Sequence, residues 1–326
     1  MRYLVCGGAG YIGAHMVKDL ARAGHEVVVL DNLSTGHREA VRWGRLIEVD
    51  ITDRLALRRA LQGEHFDGVV HMCAKSLVGE SVVEPYLYYQ NNVMGTLNVL
   101  EWMREAGVRR FVFSSTAAVF GHPQQDTIDE THPTEPINPY GQSKLMVEQI
   151  LRSAADAYGL DSVTLRYFNA CGADPDGGIG ESHQPETHLI PNLLNSLLEP
   201  GSRLKVFGED YPTPDGTCIR DYVHVNDLAR AHGLALELMQ SGESRGAHVF
   251  NLGNGSGFSV KQVIAAAKQV TGKEVEYDIA ERRAGDPAVL VASSAKARQV
   301  LGWTTEFDDM SAILQTAWHW HCSPSY

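Results

Sequence analysis

The chain has 326 residues, 44% hydrophobic and 21% charged, which is ordinary for a folded globular protein and enough for one large or two modest domains. No run approaches the ~18 apolar residues of a membrane span. Forty acidic against 28 basic residues give a formal charge of −12, which disfavours non-specific attraction to nucleic acid or anionic lipid, so an anionic ligand must be held by a local cluster of cations.

Tyr3 to Cys6 read as a short buried strand that runs into Gly7-Gly8-Ala9-Gly10-Tyr11-Ile12-Gly13 and a helical pattern to about Gly24. In such a strand, turn and helix, the glycines keep the turn tight and let the backbone approach a pyrophosphate, whose charge suits the helix N-terminus. The next strand, from Glu26 to Leu30, ends in Asp31-Asn32. An acidic residue there is placed to bind a ribose 2′-OH and repels a 2′-phosphate, so NAD is expected rather than NADP.

The alternation continues with a strand over 45–50, a helix over about 53–62, a strand over 67–73, a long helix from about Tyr86 to Ala106 and a strand over 110–115. After a Pro-rich loop come a helix carrying Tyr140 and Lys144 and a strand over 162–168. Strands separated by helices predict a doubly wound, Rossmann-type parallel sheet. From Cys171 to about Glu186 the composition shifts to Gly, Pro, Asp and His without periodicity, so a domain boundary is placed near residue 170. Beyond it a smaller mixed α/β lobe, 171–326, is expected: a helix over 189–198, a strand over 204–207, an extended segment over 217–223 and a helix over about 225–239. A strand over 248–252, a helix from about Ser259, a strand near 275–277, a loop through Arg283-Ala284-Gly285-Asp286 and two further helices complete it. The stretch around 219–252 has the pattern to return to the large sheet.

Tyr140 and Lys144 stand four residues apart, one helical turn, so a phenol and an ammonium share a face. A phenol used as a base near neutrality needs its pKa lowered by roughly 3 units, about 4 kcal/mol, and a neighbouring cation favours the phenolate. The five cysteines are odd in number, widely spaced and form no C-x-x-C pair, so neither disulfides nor a zinc site is suggested, and a reducing cytoplasm is inferred. Met1-Arg2 leads into only a short apolar run, unlike a signal peptide, and the mature chain is expected to begin at Met1. His319, His321 and Cys322 lack a partner that would complete a ligand set, and no metal site is expected.

The glycine turn and the Tyr-x-x-x-Lys helix together are more specific than either alone. With Asp31-Asn32-Leu33, Val78-Gly79-Glu80-Ser81, Asn91-Asn92-Val93, Pro139 to Lys144, Arg166-Tyr167-Phe168-Asn169, Tyr211-Pro212-Thr213, Asp215-Gly216-Thr217, Arg220 to Val225 and Asn251-Leu252-Gly253, the chain resembles the extended short-chain dehydrogenase/reductase family over nearly its whole length. It is most similar to the members that epimerise UDP-glucose and UDP-galactose at C4. The resemblance implies that Tyr140 takes the proton of the sugar 4-OH while NAD removes the C4 hydride. The 4-keto sugar then turns and receives the hydride on its other face. Thr116 would bind the 4-oxygen, and Lys144 the nicotinamide ribose.

The same resemblance implies NAD contacts from Gly7, Gly10, Tyr11, Ile12, Gly13, Asp31, Asn32, Asp50, Ile51, Met72, Cys73, Asn91 and Phe168, with Tyr140 and Lys144. It implies UDP-sugar contacts from Thr116, Tyr140, Asn169, His188, Leu189, Lys205, Val206, Phe207, Arg220, Arg283, Asp286 and Leu290, and a homodimer formed through the helices near 86–106 and 140–156. Where some members carry an NAD-contacting lysine this chain has Ser76. Lys75 lies one residue earlier and, in an extended strand, on the opposite face. Leu290 holds a position that is a bulky Tyr in members restricted to glucose and galactose and small in those that take N-acetylhexosamines. A related 4,6-dehydratase needs Asp-Glu after the Ser or Thr, and here Ala117-Ala118 follow Thr116. UDP-N-acetylhexosamine or UDP-uronate epimerases, a net dehydrogenase and a non-catalytic NAD sensor on the same fold are the other readings.

Overall fold

The computed structural model describes residues 1–242, 245–283 and 286–326; Ala284 and Gly285 of the expected loop lie outside the described residues. The first part of the chain alternates strand and helix: β1 (Arg2–Cys6), α1 (Tyr11–Arg22), β2 (Glu26–Asp31), β3 (Arg45–Glu48), α2 (Arg54–Ala60) and β4 (Gly68–His71). There follow α3 (Val78–Val83), α4 (Pro85–Tyr88), α5 (Gly95–Ala106), β5 (Arg110–Thr116), α6 (Pro139–Tyr158) and β6 (Asp161–Tyr167). The remaining elements are β7 (Asn169–Cys171), α7 (Leu189–Leu198), β8 (Leu204–Phe207), β9 (Ile219–Arg220), β10 (Tyr222–His224), α8 (Val225–Ser241) and β11 (Ala247–Leu252), then β12 (Phe258–Ser259), α9 (Val260–Thr271), β13 (Tyr277–Ala280), β14 (Val289–Leu290), α10 (Ala295–Leu301) and α11 (Met310–Cys322).

Among the described residues the main sheet has seven strands in the order β11-β6-β5-β4-β1-β2-β3, and its neighbours pair in parallel. Its strands read as near-continuous apolar runs because helices cover both faces. On one face Val5, Met16, Val17 and Leu20 pack with Leu228, Ala231, Ala235 and Leu236 of α8. On the other, Leu4, Val28 and Phe111 pack with Val99, Met103 of α5 and Val147, Leu151 of α6. The strand order reverses between β1 and β4, where β1 leads to β2 on one side and β4 lies on the other, and ligands of such sheets bind in that crevice. A separate core of Ile190, Leu193, Leu204, Val206, Val263, Ile313 and Leu314 holds the C-terminal elements together.

The expected long helix at 86–106 is interrupted by a wide π turn over Tyr89–Met94. Asn92 is the physical reason. Its side chain turns inward, donating to the Lys75 carbonyl and the Ser143 hydroxyl at 3.0 Å each and accepting from the Lys75 N–H at 2.9 Å. The Thr96 hydroxyl donates to the Asn92 carbonyl at 2.6 Å. Such turns concentrate at functional sites, and this one ties the segment after β4 to the start of α6.

Candidate active site and dinucleotide groove

At the end of β1 the chain leaves the sheet through Gly7, whose φ is +85° and whose added Cβ would lie 2.5 Å from the Cys73 nitrogen. Gly13, on the first turn of α1, would place a Cβ 2.0 Å from the Gly7 carbonyl oxygen. Only glycine lets the turn fold against the helix this closely. Gly10 caps α1 with no side-chain hydrogen bond, and the first helical turn holds no acidic residue, so its N–H groups are left to an anion. Asp31 ends β2, buried, with one carboxylate oxygen accepting from the Ala9 N–H at 3.0 Å and the other from the Leu33 N–H at 2.9 Å. Burial raises its pKa against the pull of these two hydrogen bonds. The bend that follows holds Leu33 at a φ of 56°, a strained conformation for a leucine.

A groove at this point is lined by Gly7, Gly10, Asp31, Asn32, Ile51, Met72, Cys73 and Asn91 from the expected set. Asp50 reaches it through Asn32, whose amide donates to the Asp50 carboxylate at 2.8 Å. Tyr11 is turned away: its hydroxyl donates to the Gly172 carbonyl at 2.6 Å, leaving its main chain as the part that borders the turn. Ile12 packs against the core.

Ser34, Thr35, Gly36 and Lys75 also line the groove, and sequence reasoning did not assign them. A Ser-Thr-Gly run that starts three residues after Asp31 was the available signal for three of them. For Lys75 the expectation of the opposite face is corrected. β4 ends at His71 and the backbone over 72–77 is irregular, so strand alternation does not apply there. The groove fits NAD: a tight glycine turn, an uncapped helix N-terminus and a buried carboxylate stand where pyrophosphate and adenosine ribose bind in such sheets.

Two strands along the sheet from β1, Thr116 finishes β5. Its oxygen accepts from the Ala118 N–H at 3.1 Å, and its hydroxyl is near enough to the Tyr140 phenol to act on the phenol pKa. Tyr140 is in the first turn of α6, which Asn138 caps by accepting from the Gly141 N–H at 2.9 Å. Behind it the ring of Tyr88 meets Tyr140 edge-on at 6.4 Å, and the Tyr88 hydroxyl donates to the Leu77 carbonyl at 2.7 Å and lies 2.8 Å from Glu80. Burial raises the Tyr140 pKa, and Thr116 pulls it down.

Lys144 does not press on the phenol as the four-residue spacing suggested. Its ammonium donates to the Ser114 carbonyl at 2.7 Å and lies 4.8 Å from the centre of the Phe113 ring, and burial lowers its pKa to about 8. One turn further along α6, Glu148 accepts from the Ser115 hydroxyl at 2.6 Å and from two nitrogens of Arg166 at 3.0 and 2.5 Å.

Among the C-terminal elements Arg220 donates to Asp286 at 2.9 Å, and the Arg283 guanidinium covers the Phe207 ring at 4.1 Å. Leu290 pairs in register with Arg220 and packs with Phe168 against Ala117, Phe120 and Leu145, which brings it to the Thr116 side of the site. The Asn169 amide donates to the Asp221 carbonyl at 2.8 Å. Lys205 is exposed, whereas Val206, on the other side of the same strand, is buried in the second core; its side chain packs the lobe rather than facing a ligand. His188 precedes α7 with its Nδ1 hydrogen-bonded to Glu181, and Leu189 opens the helix half-buried. Burial opposes charge on Glu181, yet His183 and His188 hold its pKa down to about 2. Sequence reasoning missed Glu181 and His183, for which the run of Glu and His over 181–188 was the only signal.

Residues 3–253 match the model of the NAD dependent epimerase/dehydratase family, and the chain belongs to that family. Among its relatives, it is 51% identical over 322 residues to a UDP-glucose 4-epimerase of Lacticaseibacillus casei, covering 98% of this chain and 97% of that protein. Among solved structures it is similar to UDP-glucose 4-epimerase from Brucella ovis in complex with NAD, at 46% identity and a TM-score of 0.94, covering 98% and 97% of the two chains. It is also similar to the Bifidobacterium longum enzyme of that name in complex with NAD+ and UDP, at 35% identity and a TM-score of 0.93, covering 99% of each chain.

Proposed function

We propose that this protein is an NAD-dependent isomerase that interconverts UDP-glucose and UDP-galactose by transient oxidation at sugar C4. The observation that carries the reading is the meeting of β5 and α6, where Thr116 is near enough to Tyr140 to lower its phenol pKa and Lys144 donates at 2.7 Å to the Ser114 carbonyl, two residues before Thr116. The names and bound ligands of the relatives support the substrate and the cofactor.

Bound NAD supplies the hydride acceptor and afterwards the hydride donor, so no net oxidation results. Tyr140 takes the proton of the 4-hydroxyl while Thr116 holds the 4-oxygen and shares the transfer. The 4-keto sugar turns about its link to the diphosphate, and Tyr140 returns the proton after the hydride arrives on the other face. Lys144 spends one ammonium hydrogen on Ser114 and has two left for the nicotinamide ribose. Because burial alone raises the phenol pKa, its fall toward neutrality comes from positive charge assembled on binding. Arg220 and Arg283 hold the diphosphate, the fork of each guanidinium matching its oxygens, with Asn169, His188 and Asp286 completing the nucleotide contacts.

The division at about residue 170 into a NAD-binding lobe and a UDP-sugar lobe belongs to the same reading, as does a homodimer. Val78, Val82, Val83, Tyr86 and Met94 are between 46% and 80% exposed on α3, α4 and the π turn, an apolar face that a second copy would cover. No helix of the described residues is long and apolar enough to cross a membrane, and a cytoplasmic location is part of the proposal.

The test is incubation of the purified protein with UDP-galactose without added NAD, followed by chromatography. UDP-glucose is expected. If none forms even after NAD is supplied, while Tyr140→Phe protein still binds NAD, the reading is wrong.

A further inference from the structure

The segment between β7 and α7 carries four clustered side chains, of which the proposed reaction uses only His188. Glu181, His183, Glu186 and His188 each offer one ligand atom, and these atoms all lie within 4.8 Å of one another. We propose that they form a site for a divalent d-block cation, with zinc as the type ion, held by two imidazole nitrogens and two carboxylate oxygens.

The spacing around His183 suits a metal better than a simple ion pair. His183 Nδ1 stands 3.3 Å from Glu181 Oε1 and 3.5 Å from Glu186 Oε2. A charge-assisted N–H···O bond is shorter, about 2.7–2.9 Å, and one ring nitrogen carries only one proton to share between two carboxylates. Zinc bonded at about 2.0–2.2 Å to nitrogen and oxygen in a tetrahedron separates its ligands by roughly 3.4 Å, the spacing found on both sides of His183. His188 Nδ1 is hydrogen-bonded directly to the same Glu181 oxygen, a contact that a bound ion replaces by drawing the two atoms apart to ligand spacing. Imidazole and carboxylate together are a donor set that suits zinc.

The surroundings fix these ligands as a metal site requires. Glu186 Oε1 accepts from the N–H groups of Thr187 and His188 at 2.7 and 2.8 Å, which leaves Oε2 as the oxygen facing His183. The Glu181 carbonyl accepts from the Trp320 ring nitrogen at 2.8 Å, and the rings of Tyr11 and His188 pack edge-on against His183 at 6.2 and 5.4 Å. Glu181 is buried, whereas His188 is exposed, which gives an ion a path from solvent. Four protein ligands close a tetrahedron, so the ion is structural: it fastens the crossing between the lobes to the residue that precedes α7. The proposal stands whether or not the epimerase reading does.

The experiment uses the full chain, stripped with chelator, dialysed and titrated with Co2+ while visible absorption is followed. One Co2+ per chain with the intense bands of tetrahedral coordination is expected, displaced by one equivalent of Zn2+. His183→Ala is expected to remove the bands. Glu186→Gln, which keeps the acceptor for the Thr187 and His188 N–H groups, is expected to weaken binding about 10- to 100-fold, with circular dichroism reporting that both variants are folded. The proposal is overturned if the wild type shows no such bands. It is equally overturned if Glu186→Gln binds as the wild type does, or if His319→Ala with His321→Ala abolishes binding that His183→Ala leaves intact.

Discussion

The ammonium of Lys144 is hydrogen-bonded to the Ser114 carbonyl at 2.7 Å, and thereby anchored two residues before Thr116 on β5. The cation is positioned by the strand that carries the hydroxyl, while the phenol of Tyr140 is positioned by the helix. Replacing Tyr140 with Phe removes the proposed proton acceptor without altering the groove, and epimerisation is expected to fall by about 10²- to 10⁴-fold with NAD still bound, measured by turnover and by cofactor content. Burial sets the Lys144 pKa at about 8, so its charge is present below that pH and lost as pH rises through it. Activity should decline on the alkaline side with an apparent pKa near 8, and the residual activity of Lys144→Ala should lack that limb. An alkaline limb that survives in Lys144→Ala would assign it to another group.

Acid is expected to destabilise the protein from mildly acidic pH downward. Burial lowers the pKa values of His15 and His232 to about 4 and that of His224 to about 3. A group whose folded pKa lies below its unfolded value of about 6.5 and which is buried neutral contributes stability above that pH, lost as pH falls toward the folded value. By pH 5 each histidine accounts for a loss of about 2 kcal/mol. Glu181, held near 2, acts in the same direction at lower pH. The check is the urea midpoint between pH 7.5 and 5, where a flat profile would contradict the account.

Glu148 and Arg166 form a buried pair in which both carboxylate oxygens are engaged. Glu148→Ala strands the guanidinium away from water, and a loss of roughly 3–5 kcal/mol is expected. Glu148→Ala with Arg166→Met should recover part of it. Equilibrium unfolding of the wild type, the single variants and the double variant measures the coupling.

Leu290 and Phe168 pack against the cluster of Ala117, Phe120 and Leu145, and in the proposed reading the size of Leu290 bears on what fits beside the reacting sugar. Leu290→Gly is expected to raise kcat/KM for UDP-N-acetylgalactosamine relative to UDP-galactose by roughly tenfold, and Leu290→Tyr to lower it, in line with the worth of a few methylene groups in a pocket. Equal ratios in all three proteins would remove Leu290 from the specificity argument.

The sheet was legible because buried parallel strands are apolar throughout and each is closed by a helix, and the groove was legible because Gly7, Gly13 and Asp31 are required by steric and electrostatic constraints that act within a few residues. What the sequence did not disclose depends on side-chain direction. The π turn follows from Asn92 reaching residues 17 and 51 positions away in the chain. Lys144 faces Ser114 because the strand beneath it supplies a carbonyl, which helical spacing alone does not reveal. Lys75 was placed on the wrong face by treating an irregular segment as strand. Val206 and Tyr11 carry expected contact positions on side chains that the fold uses for packing and for a hydrogen bond to Gly172.

β11, from late in the chain, closes the far edge of the main sheet by pairing along the whole of β6, and α8 just before it covers α1. A fragment ended near residue 170 would keep the glycine turn of Gly7 to Gly13 and Tyr140, yet it would leave β6 as a bare edge and strip the apolar face of α1. Such a fragment invites strand addition between copies and so aggregation. The part of the chain before residue 170 is thus not a detachable module. It becomes a finished object only after the ribosome has delivered residue 252, and a gene split between the two lobes would have to be cut elsewhere.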